Sequence, residues 1–405
     1  MCLLAQELSL KERTDVLIIK AVEYVLNIKR KYVQRFGRES FDLKEMISAL
    51  DIVEYNNFAK CVNIVQRDEF CLLSYSLIKG GDIDIFDNPD SIYRDLRGTV
   101  VDLKREKLVL LPFHKFFNIG EIQESSIETV IEKIKNADTV EITDKMDGSM
   151  ISISCYEGDI FVAGSGSLSE EKNPRILEAK AYLTKDHIAM IKQYDNFTFM
   201  FELIGKEPQI VQYPRDRWGL YLTGARGKVT GNLMTYFELS QLAGSYGIPM
   251  VRIEKITFDE MISLRNKYNC LEKEGWVLRV DDTLYKVKCE DFINMHRLAS
   301  TNPNGILNLW REGKLDDIKS RMSDSMREYV ERYTDRFHIY ARRRTEEINH
   351  LYSEYSDIED MKSFAMAVRN LDKRTQGYLF CLKRGKPLDI FKGVEYSDIE
   401  KYLTK

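Results

Sequence analysis

Between Val140 and Ser154 the chain reads V-E-I-T-D-K-M-D-G-S-M-I-S-I-S. Lys145 stands two residues ahead of Asp147, between two runs of alternating apolar residues. A deprotonated lysine amine is a nucleophile able to form a covalent intermediate. With a reference pKa of ~10.4, only about one lysine in 2,500 is neutral at pH 7. Neighbouring cations and partial burial would lower that value. Taken alone, Lys145 reads as a solvated lysine on a hairpin, because Asp147-Gly148 is a strong turn signal between two strands. The nucleophile reading needs support elsewhere in the chain.

That support comes from further segments. Lys286-Val287-Lys288 closes an apolar run. In a strand, residues i and i+2 face the same way, so the two lysines share a side, with Tyr285 and Val287 on the other. Two such ammonium groups repel unless an anion lies between them, and a phosphate would satisfy both. Glu202 sits inside the apolar run Phe201–Ile204, where an ionised carboxylate is costly unless paired, hydrogen-bonded or metal-bound. Glu274-Gly275-Trp276-Val277 begins a strand, Lys115-Phe116-Phe117-Asn118 ends one, and Arg97-Gly98 follows an acidic, polar segment. A lysine nucleophile with cations around it suits attack on a phosphate, chemistry that is mostly positioning and charge stabilisation with a divalent metal. Glu274 and Glu202 are natural oxygen ligands for Mg²⁺.

Lys145-Met146-Asp147-Gly148-Ser149 resembles the nucleophile motif of the covalent nucleotidyltransferases, the superfamily of ATP-dependent ligases and capping enzymes. Within it the chain is similar to the phage RNA ligase 1 family. The resemblance is carried by Ser74-Tyr75, Arg97-Gly98, Lys115-Phe116-Phe117-Asn118, Phe201-Glu202 with Ile210-Val211, Glu274-Gly275, Lys286-Val287-Lys288, His296 and Asp316-Asp317. It runs from about Cys61 to Lys319. It implies an ATP-dependent RNA-joining reaction through lysyl-AMP and RNA-adenylate. Lys145 would be the nucleophile, and Lys286 and Lys288 would hold the α-phosphate. Arg97 and Lys115 would reach the triphosphate, while Tyr75 and Glu202 would seat the nucleoside. Glu274 and Asp316 would serve Mg²⁺ or Mn²⁺. Asp316-Asp317 also has an ordinary reading, as acidic residues in the first turn of a helix. Two departures stand out. Ser165 replaces a lysine common in the family, and Phe292 replaces a tyrosine that follows the last lysine pair; both weaken polar contacts.

The elements that must position these residues fall into three textures. Residues 1–60 read as a helical extension, with helical spacing over Leu17–Val33 and a helix opened by Asp42-Leu43-Lys44-Glu45. Residues 61–296 read as a sheet-rich adenylyltransferase domain with mixed or antiparallel sheets. Its strands are expected at Phe70–Ser76, Gly98–Leu103, Leu108–Phe113, Val140–Thr143, Ser149–Cys155, Phe197–Ile204, Gly219–Thr223, Trp276–Val280 and Thr283–Val287, with inserted helices at Ile127–Lys135 and Ile176–Gln193. Residues 297–405 read as an all-helical C-terminal domain with helices over Leu315–Arg344 and Glu346–Leu371. The fold class is therefore α+β, a ligase-type nucleotidyltransferase domain followed by a helical RNA-specificity domain. Arg332, Arg336 and Arg343 share a helical face. That face reads either as solvated and paired with Asp324, Glu328, Glu331 and Asp335, or as a phosphate-binding surface.

Composition bounds the rest. A chain of 405 residues is too long for one ordinary core. Its net charge of -4 gives no global case for nucleic acid, so a polyanion site must be a local patch. Seven cysteines form no Cys-x-x-Cys pair, which points to reduced thiols in the cytoplasm rather than a zinc site or disulfide framework. Met1–Leu10 is too short and polar for a signal peptide, and no apolar run approaches membrane length. A DNA ligase or capping enzyme would append an OB barrel where this chain has helices. A catalytically inactive ligase fold kept for RNA binding would have no need of all five charges at Lys145, Glu202, Glu274, Lys286 and Lys288. The expected partners are RNA, with a nicked tRNA anticodon loop as candidate, and an end-healing kinase/phosphatase.

Overall fold

The computed structural model describes residues 20–76, 86, 88, 91–206, 209–299, 302–319, 322 and 324–404. Met1–Leu10, and Leu17–Ile19 of the first expected helix, lie outside them. The chain divides into two compact units, residues 1–207 with 213–292, and residues 208–212 with 293–405.

Among the described residues the first unit holds three four-stranded sheets. One is built from β1 (Val62–Arg67), β2 (Phe70–Tyr75), β3 (Arg97–Asp102) and β4 (Lys107–Leu110), in that order and antiparallel. It is covered on both faces, which explains its near-continuous apolar runs. Cys71, Leu73 and Val101 pack under the helix Lys20–Phe36 and its neighbours, while Leu72 and Val100 face Ala163 and Leu168. The N-terminal helices, read from the sequence as an extension preceding the domain, thus share a core with its first sheet.

The other two sheets carry the chemistry. β5 (Phe117–Asn118), β12 (Thr283–Lys288), β11 (Gly275–Val280) and β6 (Val140–Lys145) form the second. Only β5 and β12 run parallel in it. β10 (Gly219–Gly227), β9 (Phe197–Ile204), β7 (Ser149–Tyr156) and β8 (Asp159–Gly164) form the third, antiparallel throughout. Its core face, with Ile151, Ile153, Phe199, Phe201 and Leu203, is closed by helices Pro174–Tyr182, Lys185–Gln193 and Tyr236–Tyr246.

Two expectations change here. β6 and β7 are not a hairpin: Lys145 pairs with Gly275 in one sheet and Ser149 with Leu203 in another. Asp147-Gly148 is therefore a crossover between sheets. The hairpin lies one strand later, where β7 turns into β8 through Glu157 (φ 50°) and Gly158 (φ 88°), the two positive φ values a tight hairpin turn needs. The single helix expected over Ile176–Gln193 is two, because Thr184 caps a new start by accepting from the His187 backbone N–H.

The second unit is helical, with Pro303–Arg311, Leu315–Lys319, Asp324–Ser353, Met361–Val368, Lys373–Lys383 and Tyr396–Leu403. The expected Leu315–Arg344 helix is thus interrupted before Asp324, and the second half runs on to Ser353. Ile348, Phe364, Val368 and Leu379 form one part of its core, and Trp310 packs on Phe337 and Phe391 in another. No helix among the described residues is long and apolar enough to cross a membrane.

Candidate active site

A cavity of about 280 Å³ opens between the second and third sheets. Arg97, Lys145, Glu202 and Lys286 line it, together with apolar residues that include Met150, Val251 and Val277. The sequence brings these charges together through strand ends. Lys145 is the last residue of β6, Lys286 lies near the end of β12, and Arg97 opens β3.

Two glycines make the approach possible. A Cβ on Gly148 would lie 2.5 Å from the Leu203 carbonyl, so only glycine lets the crossover press against β9. A Cβ on Gly275, whose φ is +151°, would lie 2.1 Å from the Val287 carbonyl. Glu274 must therefore be followed by glycine if it is to enter between β6 and β12.

Glu274 is the hub of the site. One of its carboxylate oxygens is 2.8 Å from the Lys145 Nζ and the other is 2.9 Å from the Lys288 Nζ. The carboxylate is only 5% exposed, and the two lysines hold it ionised below the usual range despite its burial. Lys145 answers in kind. Burial opposes its charge, but the carboxylates of Glu274, Glu202 and Asp147 outweigh it and raise its pKa. This reverses the expectation that neighbouring cations lower it. The depressed lysine is Lys286, pushed down to about 6 by burial and by Arg97, Lys115 and Lys145. The strand pattern correctly put Lys286 and Lys288 on one side, yet among the described residues no single anion lies between them. Lys288 takes Glu274, whereas Lys286 lies over the Phe116 ring at 4.7 Å.

Arg97 is the other unsatisfied cation. Its guanidinium also lies over Phe116, at 5.0 Å, and its Nη1 is buried without a hydrogen-bond partner among the described residues. A buried, charged donor left unpaired is costly. Glu202, across the cavity wall, is pushed up to about 7, chiefly by burial.

The remaining expected residues lie elsewhere. Tyr75 and Lys115 do not line the cavity. The Lys115 ammonium sits over Phe117 at 4.8 Å and Tyr75 at 5.4 Å, and 3.5 Å from Glu121. Asp316 belongs to the helical unit, and its side chain is outside the described part. Ser165 contributes its backbone: its carbonyl accepts from the Ser74 hydroxyl at 2.7 Å. Phe292 is buried with Lys288 over its ring at 5.2 Å.

Two contributors were not singled out from sequence. Phe116 supports both unpaired cations; its place beside Lys115 was visible, but nothing marked its ring. Tyr213 accepts a hydrogen bond from the Asp147 backbone N–H at 2.9 Å and so holds the Asp147-Gly148 crossover. On the helical unit, Arg336 donates to the Tyr396 hydroxyl at 2.6 Å, while Arg332 and Arg343 are exposed.

With this geometry in place, comparisons with known proteins add the following. Residues 95–293 match the model of an RNA ligase family. A Thermovibrio ammonificans protein provisionally named an RNA ligase is 26% identical over 284 residues, spanning 67% of this chain and 70% of its own. An archaeal ATP-dependent RNA ligase structure is 18% identical, with a TM-score of 0.47, over 73% of this chain and 77% of that one. A variant of Naegleria gruberi RNA ligase with ATP and manganese is 17% identical, with a TM-score of 0.34, over 42% of this chain. The chain spans 55% of that Naegleria structure.

Proposed function

We propose, from the match of residues 95–293 to the RNA ligase family, that the protein joins RNA 5′-phosphate and 3′-hydroxyl ends at the expense of ATP. The observation that carries this reading is one cavity with two kinds of cation. Lys145 is paired and oriented by Glu274, whereas Arg97 and Lys286 have no anion of their own among the described residues.

In this reading the Lys145 Nζ attacks the α-phosphorus of ATP. An N–P bond forms, the bond to the bridging oxygen breaks, and pyrophosphate leaves. AMP then passes from Lys145 to an RNA 5′-phosphate oxygen, and an RNA 3′-hydroxyl displaces it to close the phosphodiester. Arg97 neutralises the phosphates under attack, and Lys286, held at about 6 in the protein alone, joins it by taking up a proton as the phosphates arrive, with Lys288 behind them and Lys115 toward the far end of the triphosphate. Lys145 must shed a proton before the first step. Of the carboxylates beside it, Glu202 has the proton affinity to take one, because burial raises it to about 7 while Glu274 is held low.

A divalent cation, when bound, neutralises charge on the phosphate chain. Glu274 offers it a carboxylate; Asp316, the other expected ligand, belongs to the helical unit. No group of three or more His, Cys, Asp or Glu side chains able to hold an ion occurs among the described residues. A single carboxylate such as that of Glu274 suits Mg²⁺ or Mn²⁺ that keeps waters and shares the substrate's phosphates, the usual mode for Mg²⁺.

The test is incubation with ATP, Mg²⁺ and a 5′-phosphorylated single-stranded RNA. Circular and dimeric RNA is expected, and none without the 5′-phosphate. Binding without joining, under all nucleotides tried, would favour an inactive RNA-binding fold.

The helical unit is assigned to RNA selection, with nicked tRNA as the candidate substrate. Of the face shared by Arg332, Arg336 and Arg343, Arg332 and Arg343 are exposed, while Arg336 is engaged with Tyr396. Replacing both by alanine should lower sealing of nicked tRNA several-fold relative to a short oligonucleotide. An unchanged ratio would remove this assignment. An enzyme needing these ends is served by an end-healing kinase/phosphatase, in the cytoplasm.

A further inference from the structure

We infer that residues Tyr213–Tyr221 form the landing surface for a single-stranded RNA end beside the nucleophile, an inference that rests on the RNA-joining reading. The segment leads into β10, the edge strand of the third sheet. Leu220 and Leu222 point into the core of that sheet, so Tyr221 faces the opposite way. Tyr221 pairs directly with Glu202, and Glu202 with Met150. All three share a face, and Glu202 and Met150 line the cavity. Tyr221 therefore extends the cavity wall outward by one strand, about 4.8 Å.

A continuous chain of interactions joins this surface to the nucleophile crossover. The Tyr221 hydroxyl donates to the Arg217 carbonyl at 2.8 Å, and the Arg215 guanidinium lies 5.7 Å from the Trp218 ring centre. The Trp218 Nε1–H donates to the Tyr213 carbonyl at 3.4 Å, and the Tyr213 hydroxyl accepts from the Asp147 N–H. Arg215 and Arg217 are exposed, and among the described residues neither has a carboxylate partner. Asp216 between them is exposed as well.

Two guanidinium groups without a carboxylate, interleaved with Trp218 and Tyr221, match the chemistry of a single strand, whose phosphates take arginine and whose bases stack on aromatic rings. A second ligand of ATP type has no need of such an open surface. A 5′-phosphorylated strand does, because its end must reach the AMP carried by Lys145.

The experiment starts from protein already carrying labelled AMP, separated from ATP. A 5′-phosphorylated, 3′-blocked single-stranded RNA is added, and AMP transfer is followed against RNA concentration and salt. For the double variant Arg215→Ala/Arg217→Ala the apparent KM for RNA should rise about tenfold, and its log–log salt slope should fall by about 1.4, roughly 0.7 for each phosphate no longer neutralised. Tyr221→Ala should raise that KM about fivefold or more through weaker stacking. All three side chains are at least partly exposed, so their removal leaves the core intact. KM and salt slope equal to wild type in the double variant would overturn the surface while leaving the ligase reading in place. Wild-type protein that takes up no AMP would instead overturn the ligase reading itself.

Discussion

Arg97, Lys145 and Lys286 line one cavity, with Lys288 beside it, and these cations are held in two opposite ways. Lys145 and Lys288 share the buried Glu274 carboxylate, at 2.8 and 2.9 Å. Arg97 and Lys286 both rest against Phe116 and lack such an anion among the described residues. The first set is electrostatically complete in the protein alone. The second is completed only by something negative that enters. The difference explains why the lysine with the depressed pKa is Lys286 rather than Lys145, and in the proposed reading it separates two tasks, orienting a nucleophile and receiving a polyphosphate.

The largest effect that would break this comparison is removal of the hub. Glu274→Gln leaves Lys145 and Lys288 adjacent without their shared anion. Unpairing a buried ion pair costs about 3–5 kcal/mol of stability, and a nucleophile displaced by about 1 Å loses about 100-fold in rate, so lysyl-AMP formation should slow by about a hundredfold in single-turnover measurements. A rate within a few-fold of wild type would mean that Glu274 does not orient Lys145.

On the other side, Arg97→Ala removes a donor that has no protein partner to strand. The loss is that of a charged hydrogen bond to ATP, about 1.5–3 kcal/mol, which should raise the KM for ATP about 10- to 100-fold. It should cost little thermal stability, because Nη1 is unsatisfied already. A large drop in Tm with an unchanged KM would make Arg97 structural.

The smallest effect sharpens the contrast through pH. Lys286 titrates near 6 in the folded protein and near the ordinary lysine value when unfolded. Between those values the unfolded chain binds more protons, so the burial penalty is full below about pH 6 and fades as pH rises. Lys286→Met should therefore gain Tm over wild type at pH 6 and gain less at pH 9. A gain that grows with pH would contradict an unpaired lysine at this position.

How much of this was readable beforehand depends on which force sets each feature. Glu202, Lys286 and Lys288 were legible because strand alternation makes an isolated charge in an apolar run conspicuous. The strands themselves were mostly visible for the same reason, and β9 falls at Phe197–Ile204 as expected. The Asp147-Gly148 crossover was not legible. Its glycine is required by close approach to the Leu203 carbonyl, a tertiary effect, whereas the hairpin turn is the less typical Glu157-Gly158. The sign of the Lys145 shift was hidden likewise. It depends on Glu274, 129 positions later, entering beside it through Gly275. Tyr213 carried no charge and no period to mark it.

The central claim is that Lys145 carries AMP. Purified protein is incubated with α-labelled ATP and Mg²⁺ and run on a denaturing gel, beside Lys145→Ala. A labelled band that pyrophosphate discharges is expected in the wild type, and no band in the variant. Equal labelling of Lys145→Ala, or no label in the wild type with ATP or GTP, would contradict it.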